Sequence, residues 1–437
     1  MRQHLRSNAD MQSYMQQVEI GPFSVDLATN RLIRDGIELA LRPQAFRALK
    51  ALIQNRGQYV DYEGMIAEAW DGTVVSKHTV DVTVGEVRKA LQEFGPWIIH
   101  RPKVGYRFDV PGSEDLIREG WHFWKRCTRE GFEKALACFR QAAQEDAADF
   151  RAYEGLATCY LTLGSHGMRP PRQMYELFLD VFGRAVALSG LTPELRTLRA
   201  HGLHMIERKF VEAESELLKA QWEKPTLTRA YVCLSMVYVV AGRFDDALTV
   251  LTQAEKADPL WPLLPAAEVS VRFFRREFGL AVDCGIKAVE LQPYIQLGRA
   301  YYAQALEYSG RVEEALAEYR RAIMMSPDLL WLRPLEATCL ARNGRQREAA
   351  RILEEIEKMR TTDYVDAYHV ALLYDALGQG DHAFRELERA DAENSINLCL
   401  LDVDPKLDSL RRDPRFERFR RNLFGRVNGP HSMRSHG

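Results

Sequence analysis

The chain has 437 residues, of which 46% are hydrophobic and 27% charged, and its formal net charge at pH 7 is -2. This length suits two or three domains with apolar cores, and the near-neutral charge excludes a uniformly basic surface. Any contact with nucleic acid must therefore come from a local basic patch. The seven cysteines are scattered and form no CxxC pair. They favour reduced, packed thiols over a disulfide framework or a zinc site.

The two ends of the chain carry little structural signal. Residues 1–17 lack the apolar core of a signal peptide and are expected to be flexible, and residues 427–437 are expected to form a disordered tail. The most apolar stretch, 231–242, is about half the length that a membrane helix needs. We therefore expect no membrane contact and a cytoplasmic location.

Residues 18–111 alternate between two kinds of pattern. Short period-2 apolar runs, broken by glycine and asparagine, predict a small antiparallel sheet first. A period of 3.6 follows, and Gly95-Pro96 interrupts it before a second strand-like run. The predicted order is a sheet, three helices near 43–56, 61–70 and 77–92, and a hairpin over 97–110.

This order, with these residues, resembles the OmpR/PhoB-type winged-helix domain. The matching pieces include Leu41-Arg42-Pro43, then Thr79-Val80-Asp81-Val82, and finally Gly105-Tyr106-Arg107-Phe108. Pro102-Lys103, just before the last piece, makes the chain more similar to CadC-like members. The resemblance covers most of 18–111 and implies DNA binding, with the third helix in the major groove and the hairpin as the wing.

The third helix and the hairpin supply the candidate contacts with DNA. A recognition helix projects polar side chains into the groove while contacts with phosphates fix its register. Between 77 and 107 there are six Lys or Arg residues against three Asp or Glu residues, a local basic excess. The expected DNA-binding residues are Trp70, Lys77, His78, Thr79, Thr83, Glu86, Arg88, Lys89, Arg101, Lys103, Tyr106 and Arg107.

Two positions in the third helix depart from the family pattern. Glu86 on a groove-facing surface would repel phosphates, although it can accept a hydrogen bond from cytosine N4. Gly85 costs about 1 kcal/mol of helix stability relative to Ala, so it either permits close approach to DNA or marks weakened binding. Trp70 has two equally open interpretations, a phosphate-facing aromatic residue or an ordinary core residue.

From residue 112 to 395 the pattern is helical and repeats every 34 residues. A series of alanines keeps this step, and a second alanine series and a proline series keep it as well. The spacing is that of tetratricopeptide repeats (TPRs). We therefore predict an N-terminal winged helix-turn-helix (α+β) followed by an all-α TPR solenoid of about eight helix pairs and a capping helix region at 396–426. The first series is Ala213, Ala247, Ala281, Ala315, Ala349 and Ala383.

The repeats contain no catalytic constellation, phosphate-binding loop or nucleophile elbow, so we predict no enzyme and no cofactor. His201 and His204 lie one helical turn apart, but no third ligand is indicated nearby. A structural or solvated pair is therefore favoured over a metal site.

TPR grooves typically bind extended peptides or partner helices. One version clamps a C-terminal carboxylate with Lys and Asn at fixed positions of the first helices. That pattern is absent here, because these positions hold Val232, Met236, Ala266, Ser270, Ala300 and Gln304. The residues expected to line a groove are Arg229, Tyr302, Gln304, Tyr368 and Asp375.

The combination of both parts resembles HilA-like regulators. It implies a one-component transcriptional regulator, in which the winged helix binds double-stranded promoter DNA and the solenoid binds a protein, a peptide or an effector. RNA polymerase is one candidate partner, and a homodimer on DNA is another expectation. The alternative is a TPR scaffold or adapter whose winged helix mediates protein contacts, which Gly85 and Glu86 favour.

Overall fold

The computed structural model describes residues 17–20, 23–34, 36–109, 112–261, 263–293 and 296–425. The expected flexible N-terminus, up to residue 16, and the expected tail at 427–437 lie outside these ranges. Within them, no helix has both the length and the apolar composition needed to cross a bilayer. The chain divides into two compact units, one holding the N-terminal sheets and the other most of the helical repeats.

The first sheet is an antiparallel meander of four strands. Its strands are β1 (Gln17–Ile20), β2 (Phe23–Asp26), β3 (Arg31–Arg34) and β4 (Ile37–Leu39), paired in chain order. Alternate residues of β2 are buried, as expected for a sheet with one solvated face. The sheet predicted from the period-2 runs is confirmed.

Three helices and a second sheet follow. The helices are α1 (Pro43–Gln54), α2 (Tyr62–Trp70) and α3 (Lys77–Ala90). The strands β5 (Tyr59–Val60), β6 (Ile98–Arg101) and β7 (Gly105–Phe108) form an antiparallel sheet in the order β5-β7-β6. Pro43 starts α1, and the side chains of Asp61 and Ser76 cap α2 and α3. The predicted order of sheet, three helices and hairpin is confirmed.

Sixteen helices of the described chain, α4 to α19, form eight consecutive pairs. This is the all-α TPR solenoid that the 34-residue period predicts. The helices are α4 (Ser113–Trp124), α5 (Arg129–Glu145), α6 (Phe150–Ser165), α7 (Pro171–Ser189), α8 (Pro193–Met205), α9 (Phe210–Glu223), α10 (Thr228–Val240), α11 (Phe244–Ala257), α12 (Leu264–Phe274), α13 (Phe278–Leu291), α14 (Gln296–Tyr308), α15 (Val312–Met325), α16 (Leu332–Arg342), α17 (Gln346–Met359), α18 (Ala367–Ala376) and α19 (Gly380–Ala392).

The repeated alanines are fully buried where the helices pack. All six members of the series from Ala213 to Ala383 have no exposed surface. A small side chain lets two helix backbones approach closely, and a larger one would force them apart. The 34-residue spacing thus reflects one packing position repeated along the solenoid.

The turn between the two helices of a pair has a left-handed residue at a constant repeat position. Glycine occupies it at Gly242, Gly310 and Gly344, with φ between 72° and 83°. Arg208 and Arg276 take the same position in two other repeats, at φ 58° and 67°. A left-handed arginine costs about 1 kcal/mol relative to glycine, so these two side chains need compensating contacts.

After α19 the chain forms three short 3-10 turns and a final helix. The turns are Ile396–Leu400, Pro405–Leu407 and Leu410–Arg412, and residues 396–412 are called the C-terminal segment below. The last helix, α20 (Pro414–Gly425), buries Phe416 and Leu423 in a cluster with residues of α18 and α19. This amphipathic helix lies within 396–426, where the sequence predicts a capping helix region.

Candidate functional site

Helix α3 is held with one face buried and the other in solvent. Val80, Val84 and Val87 are fully buried, as their helical spacing predicts. Ser76 caps the helix, its hydroxyl accepting from the Thr79 amide at 3.1 Å. On the other face, Lys77, His78, Thr79, Val82, Gly85 and Lys89 are exposed.

A network of aromatic side chains joins α3 to α2 and to the hairpin β6–β7. The hydroxyls of Tyr106 and Tyr62 both donate to the same carboxylate oxygen of Asp81, the latter at 2.9 Å. The ring of His100 stacks on Tyr106 at 4.6 Å, and its Nε2 lies 3.1 Å from the Tyr62 hydroxyl. The hydrogen bond from Tyr106 lowers the pKa of Asp81, which keeps this acceptor charged.

This network corrects the expected role of Tyr106. The residue is 2% exposed, and burial raises the pKa of its hydroxyl, which already donates to Asp81. Tyr106 therefore supports α3 from beneath and is not free to contact DNA. Asp81, Tyr62 and His100 were missed by the sequence reasoning. Asp81 belongs to Thr79-Val80-Asp81-Val82, one of the pieces that carry the family resemblance. No local pattern indicated its two tyrosine partners.

Thr83 also differs from the expectation. It is 4% exposed, and its hydroxyl donates to the Thr79 carbonyl at 2.9 Å within the same helix. A β-branched residue can satisfy its own hydroxyl in this way when it faces the core. Thr83 is therefore part of the buried face, and it was wrong to place it among the groove-facing residues.

Arg88 is a positioning residue rather than a free cation. Its guanidinium donates to the Ile98 carbonyl of β6, from Nε at 3.2 Å and from Nη2 at 2.6 Å. It also lies 5.8 Å from the centre of the Tyr106 ring. These contacts tie the hairpin to the end of α3 and use part of the hydrogen-bonding capacity of the half-buried Arg88, whose contact with DNA stays a prediction.

Glu86 does not present a free negative charge. Arg42 at the start of α1 donates to both of its oxygens, at 2.9 Å and 2.8 Å from Nε. This pairing lowers the pKa of Glu86 and offsets its charge. The repulsion of phosphates expected from Glu86 is thereby reduced. Gly85 beside it has open space where a Cβ would stand, so no residue that the structure describes requires glycine there.

The hairpin β6–β7 carries two exposed cations at its turn. Arg101 and Lys103 form no ion pair with any described residue, and neither does Lys89 of α3. Lys103 has φ 68°. Gly105 has φ 133°, and a Cβ on it would stand 2.1 Å from the Val60 carbonyl oxygen of β5. Glycine is therefore required by the approach of two strands as well as by the hairpin bend.

The remaining candidate DNA contacts, Lys77, Trp70 and Arg107, differ in their exposure and in the contacts they make within the unit. Arg107 pairs with Asp109 at 2.6 Å and lies over the Tyr59 ring at 5.1 Å, so its charge is partly used within the unit. Lys77 is exposed, with its Nζ 5.2 Å from the Tyr62 ring. Trp70 is half-buried at the end of α2, neither fully in the core nor fully in solvent.

The expected groove residues of the repeats are mostly occupied by the chain itself. Gln304 accepts from Lys406 at 2.8 Å, Tyr368 donates to Asp404 at 2.6 Å, and Asp375 accepts from Ser409. All three partners belong to the C-terminal segment. These residues are therefore not an open peptide groove, because residues 404–409 already bond to them.

The other two groove candidates are also engaged. Tyr302 is 8% exposed and packs against Gly285, where any added Cβ would meet its ring at 2.3 Å. Arg229 stacks over the Trp124 ring at 5.1 Å. Arg276, at a left-handed turn position, forms a two-pronged pair with Asp408 at 2.6 Å and 2.8 Å, which compensates its backbone conformation.

Comparison with known proteins agrees with the geometry of the first unit. The family model described as "Transcriptional regulatory protein, C terminal" matches residues 36–108, from the turn before β4 to the end of β7. These residues are an OmpR/PhoB-type winged-helix domain. Helix α3 stands where a helix-turn-helix places its recognition helix, and the hairpin β6–β7 is called the wing below.

Curated relatives match over this winged-helix domain. The transcriptional activator CadC of Escherichia coli (strain K12) is 32% identical over 103 residues, which are 22% of this chain and 20% of CadC. The transcriptional regulatory protein KdpE of Mycobacterium tuberculosis is 29% identical over 97 residues, 21% of this chain and 43% of KdpE. The chain thus spans less than half the length of the curated relatives it matches.

Solved structures are similar to this chain at low sequence identity. A human IFIT1 dimer with m7Gppp-AAAA is 16% identical, with a TM-score of 0.52 over 80% of this chain and 95% of that chain. A thermophilic TPR protein of Thermus thermophilus is 21% identical, with a TM-score of 0.38 over 45% of this chain and 99% of that chain. At 16% identity the likeness to the IFIT1 structure is one of fold alone.

Proposed function

We propose that the protein is a one-component transcriptional regulator. Its winged-helix domain, which we place at 18–111, binds promoter DNA, and its TPR solenoid, at 112–395, receives an effector or protein signal in the cytoplasm. The observation that carries this proposal is the exposed row of cations on α3 and the wing. Lys77 and Lys89 lie on the solvent face of α3, and Arg101 and Lys103 on the wing turn.

These cations are expected to contact DNA phosphates, whereas other residues are expected to contact the bases. Counterion release by lysine and arginine supplies much of the affinity for duplex DNA and makes it sensitive to salt. His78 and Thr79 are exposed polar residues at the N-terminal end of α3, the part of a recognition helix that contacts base edges, which supports a role for them in base reading. Glu86, with its charge offset by Arg42, is available as an acceptor for cytosine N4.

The experiment begins by selecting bound fragments from random DNA with the full-length protein. A selected duplex is then titrated by fluorescence anisotropy at several salt concentrations. The triple change Lys89→Ala, Arg101→Ala and Lys103→Ala is expected to weaken binding on the order of 100-fold near physiological salt. It should also lower the salt slope by about three. The spacing of half-sites in the selected sequences reports whether two copies bind together.

A matched control removes three exposed lysines of the repeats: Lys256, Lys287 and Lys358, each changed to Ala. This variant carries the same charge change and should bind like the wild type. If the wild-type protein binds no selected duplex in a salt-sensitive way, the proposal is wrong and the adapter interpretation is favoured.

A further inference from the structure

Helix α9 holds three large apolar side chains in solvent. Val211, Leu218 and Trp222 are 67%, 47% and 87% exposed. The other face of the same helix is fully buried through Ala213 and Ala220. Single exposed apolar residues are common, but several on one face of a helix mark an interaction surface. The exposed face of α9 is therefore a candidate interface.

The same repeat positions are polar in other repeats. Ser215, also exposed, lies between Val211 and Leu218, and the set Val211, Ser215, Leu218 and Trp222 is called the α9 seam. At multiples of 34 residues further on, the equivalent residues are Asp245, Thr249, Thr252 and Lys256 in α11, and Arg347, Arg351, Glu354 and Lys358 in α17. All of these are exposed as well. Packing of a repeat therefore does not require apolar side chains at these positions.

The spacing of the α9 seam is that of a coiled-coil heptad. Steps of four, three and four residues place its members alternately at the d and a positions, which face a partner helix. In two antiparallel copies of α9, each a position lies opposite a d position of the other copy. Trp222 then meets Val211, and Leu218 meets Ser215. A large side chain thus faces a small one in every layer, whereas parallel copies would bring Trp222 against itself.

The charges beside the seam fit the same antiparallel arrangement. Glu212 and Lys219 both occupy e positions, which lie side by side in antiparallel helices, so Lys219 of one copy approaches Glu212 of the other. Glu212 is exposed and forms no ion pair with any residue that the structure describes, and Lys219 lies 3.1 Å from Glu216 of its own helix. Parallel copies would bring Lys219 to Glu214 instead, to which Arg243 already donates at 2.8 Å.

We propose that two copies of this chain associate through the α9 seam, with the two helices antiparallel about a two-fold axis. The same surface then serves both copies, and the pair Lys219–Glu212 forms twice. Two helices of 14 residues bury less than the standard interface of about 800 Å² per partner, so the dimer dissociates in the micromolar range. Self-association does not rest on the proposed DNA binding and is measured without DNA.

Sedimentation velocity of the full-length protein, from about 1 to about 300 μM, measures the association. The wild type should shift from monomer to dimer over this range. Trp222→Ser should raise the dissociation constant at least about 30-fold, because buried tryptophans contribute most to such interfaces. Since Trp222 is almost fully exposed in the monomer, this variant should fold normally, which a circular dichroism melt verifies.

Met324→Ser is the matched control. Met324 occupies the same repeat position in α15 and is 74% exposed, but the rest of its row holds Glu313, Ala317 and Arg320. Its replacement removes an exposed apolar side chain of the repeats and should leave the dissociation constant unchanged. An equal effect of Met324→Ser and Trp222→Ser would contradict the assigned surface.

Charge reversal tests the orientation of the two helices. Lys219→Glu should weaken the dimer about 5-fold, because both copies then bring two carboxylates together. Adding Glu212→Lys should restore the wild-type dissociation constant. In parallel helices the double variant would stay weak, since the new carboxylate at 219 would face Glu214, and that result would disprove the antiparallel arrangement.

A wild-type protein that remains monomeric at every concentration would overturn the proposal and leave the seam to another kind of partner. Undiminished dimerisation of folded Trp222→Ser would overturn it too. A protein that dimerises through the seam but binds no DNA would support the interface and disprove only the regulatory function.

Discussion

The winged-helix unit and the repeat unit hold their helices by different means. In the first, directional hydrogen bonds from Tyr62 and Tyr106 to Asp81, and from Arg88 to the Ile98 carbonyl, set the position of α3. In the second, fully buried alanines such as Ala281 and Ala315 let successive helices pack at short range. The first unit depends on a few specific partners, whereas the second depends on one packing position used many times.

This difference predicts which property a single substitution should change in each unit. A hydrogen-bond network with few members transmits the loss of one member to the surface that it positions. A repeated apolar contact confines the damage to one repeat and its neighbours. Changes in the winged-helix unit should therefore alter DNA binding, and changes in the repeats should alter stability.

The largest expected effect is that of Gly105→Ala in the wing. The left-handed conformation and the 2.1 Å approach to the Val60 carbonyl oxygen leave no place for a Cβ, so the strands must separate. We expect the winged-helix unit to lose more than about 3 kcal/mol of unfolding free energy. Hydrogen exchange measured by mass spectrometry should show this over β5 to β7, with the repeats unchanged.

Gly36→Ala is the control for backbone conformation alone. Gly36 also has a positive φ, 78°, but open space surrounds the position of its Cβ. Its replacement should cost only about 1 kcal/mol. Equal losses for both variants would show that the contact with Val60 is unimportant.

In the repeats, Ala349→Leu tests the packing of one helix pair. Ala349 has no exposed surface and lies at the 34-residue position, so three further carbon atoms must displace a neighbouring helix. The expected loss is about 2–3 kcal/mol in urea unfolding, with DNA affinity unchanged. The adjacent Ala350 is exposed, and Ala350→Leu should be nearly neutral. A large loss of stability in Ala350→Leu, or a fall in DNA affinity in Ala349→Leu, would contradict the proposed difference between the two units.

Acid should destabilise the repeat unit through its buried histidines. Burial lowers the pKa of His166 and His204 to about 4, below the ordinary 6.5, so the unfolded chain binds more protons between these values. Stability therefore falls as the pH drops below 6.5, by about 2 kcal/mol for each of the two at pH 5. Glu154, whose pKa burial raises to about 7, opposes this because the folded state then binds its proton more tightly.

Urea unfolding at about pH 7.5 and about pH 5 measures this effect. His204→Leu should reduce the acid-induced loss by about 2 kcal/mol. His382→Leu, at an exposed histidine of α19, should leave the loss as it is in the wild type. An unchanged loss in the His204 variant would mean that this imidazole does not remain neutral in the fold.

The smallest expected effect is that of Gly85→Ala in α3. Because no described residue occupies the space beside it, Gly85→Ala should stabilise α3 by about 1 kcal/mol in thermal unfolding. We expect DNA affinity to fall at the same time, since a Cβ would stand between the helix backbone and the groove. An affinity that rises with stability would show that Gly85 only weakens the helix.

Much of the fold could be read from periodicity. The valines at 80, 84 and 87 predicted the buried face of α3, and the alanines spaced by 34 residues predicted the helix pairs. Thr83 and Tyr106 were misplaced because residue type alone does not show where a hydroxyl finds its partner. Asp81 is 25 residues from Tyr106, and no local pattern connects them.

The groove of the repeats was harder still to predict. Gln304 and its partner Lys406 are 102 residues apart, and Arg276 and Asp408 are 132 residues apart. The C-terminal segment shows no repeat of its own in the sequence. Its position along the first helices depends on individual polar contacts between distant residues, which do not appear as a period.

The sequence by itself determined the order of the two parts, most of their helices and strands, and the apolar stripes that those helices bury. These follow from local spacing, because a helix or strand places every apolar residue at a known angle to the next. Only the tertiary structure decided which charges remain free, which hydroxyls are satisfied and which wall of the repeats the chain covers. Those depend on side chains brought together from distant positions, where a single hydrogen bond or ion pair decides the outcome.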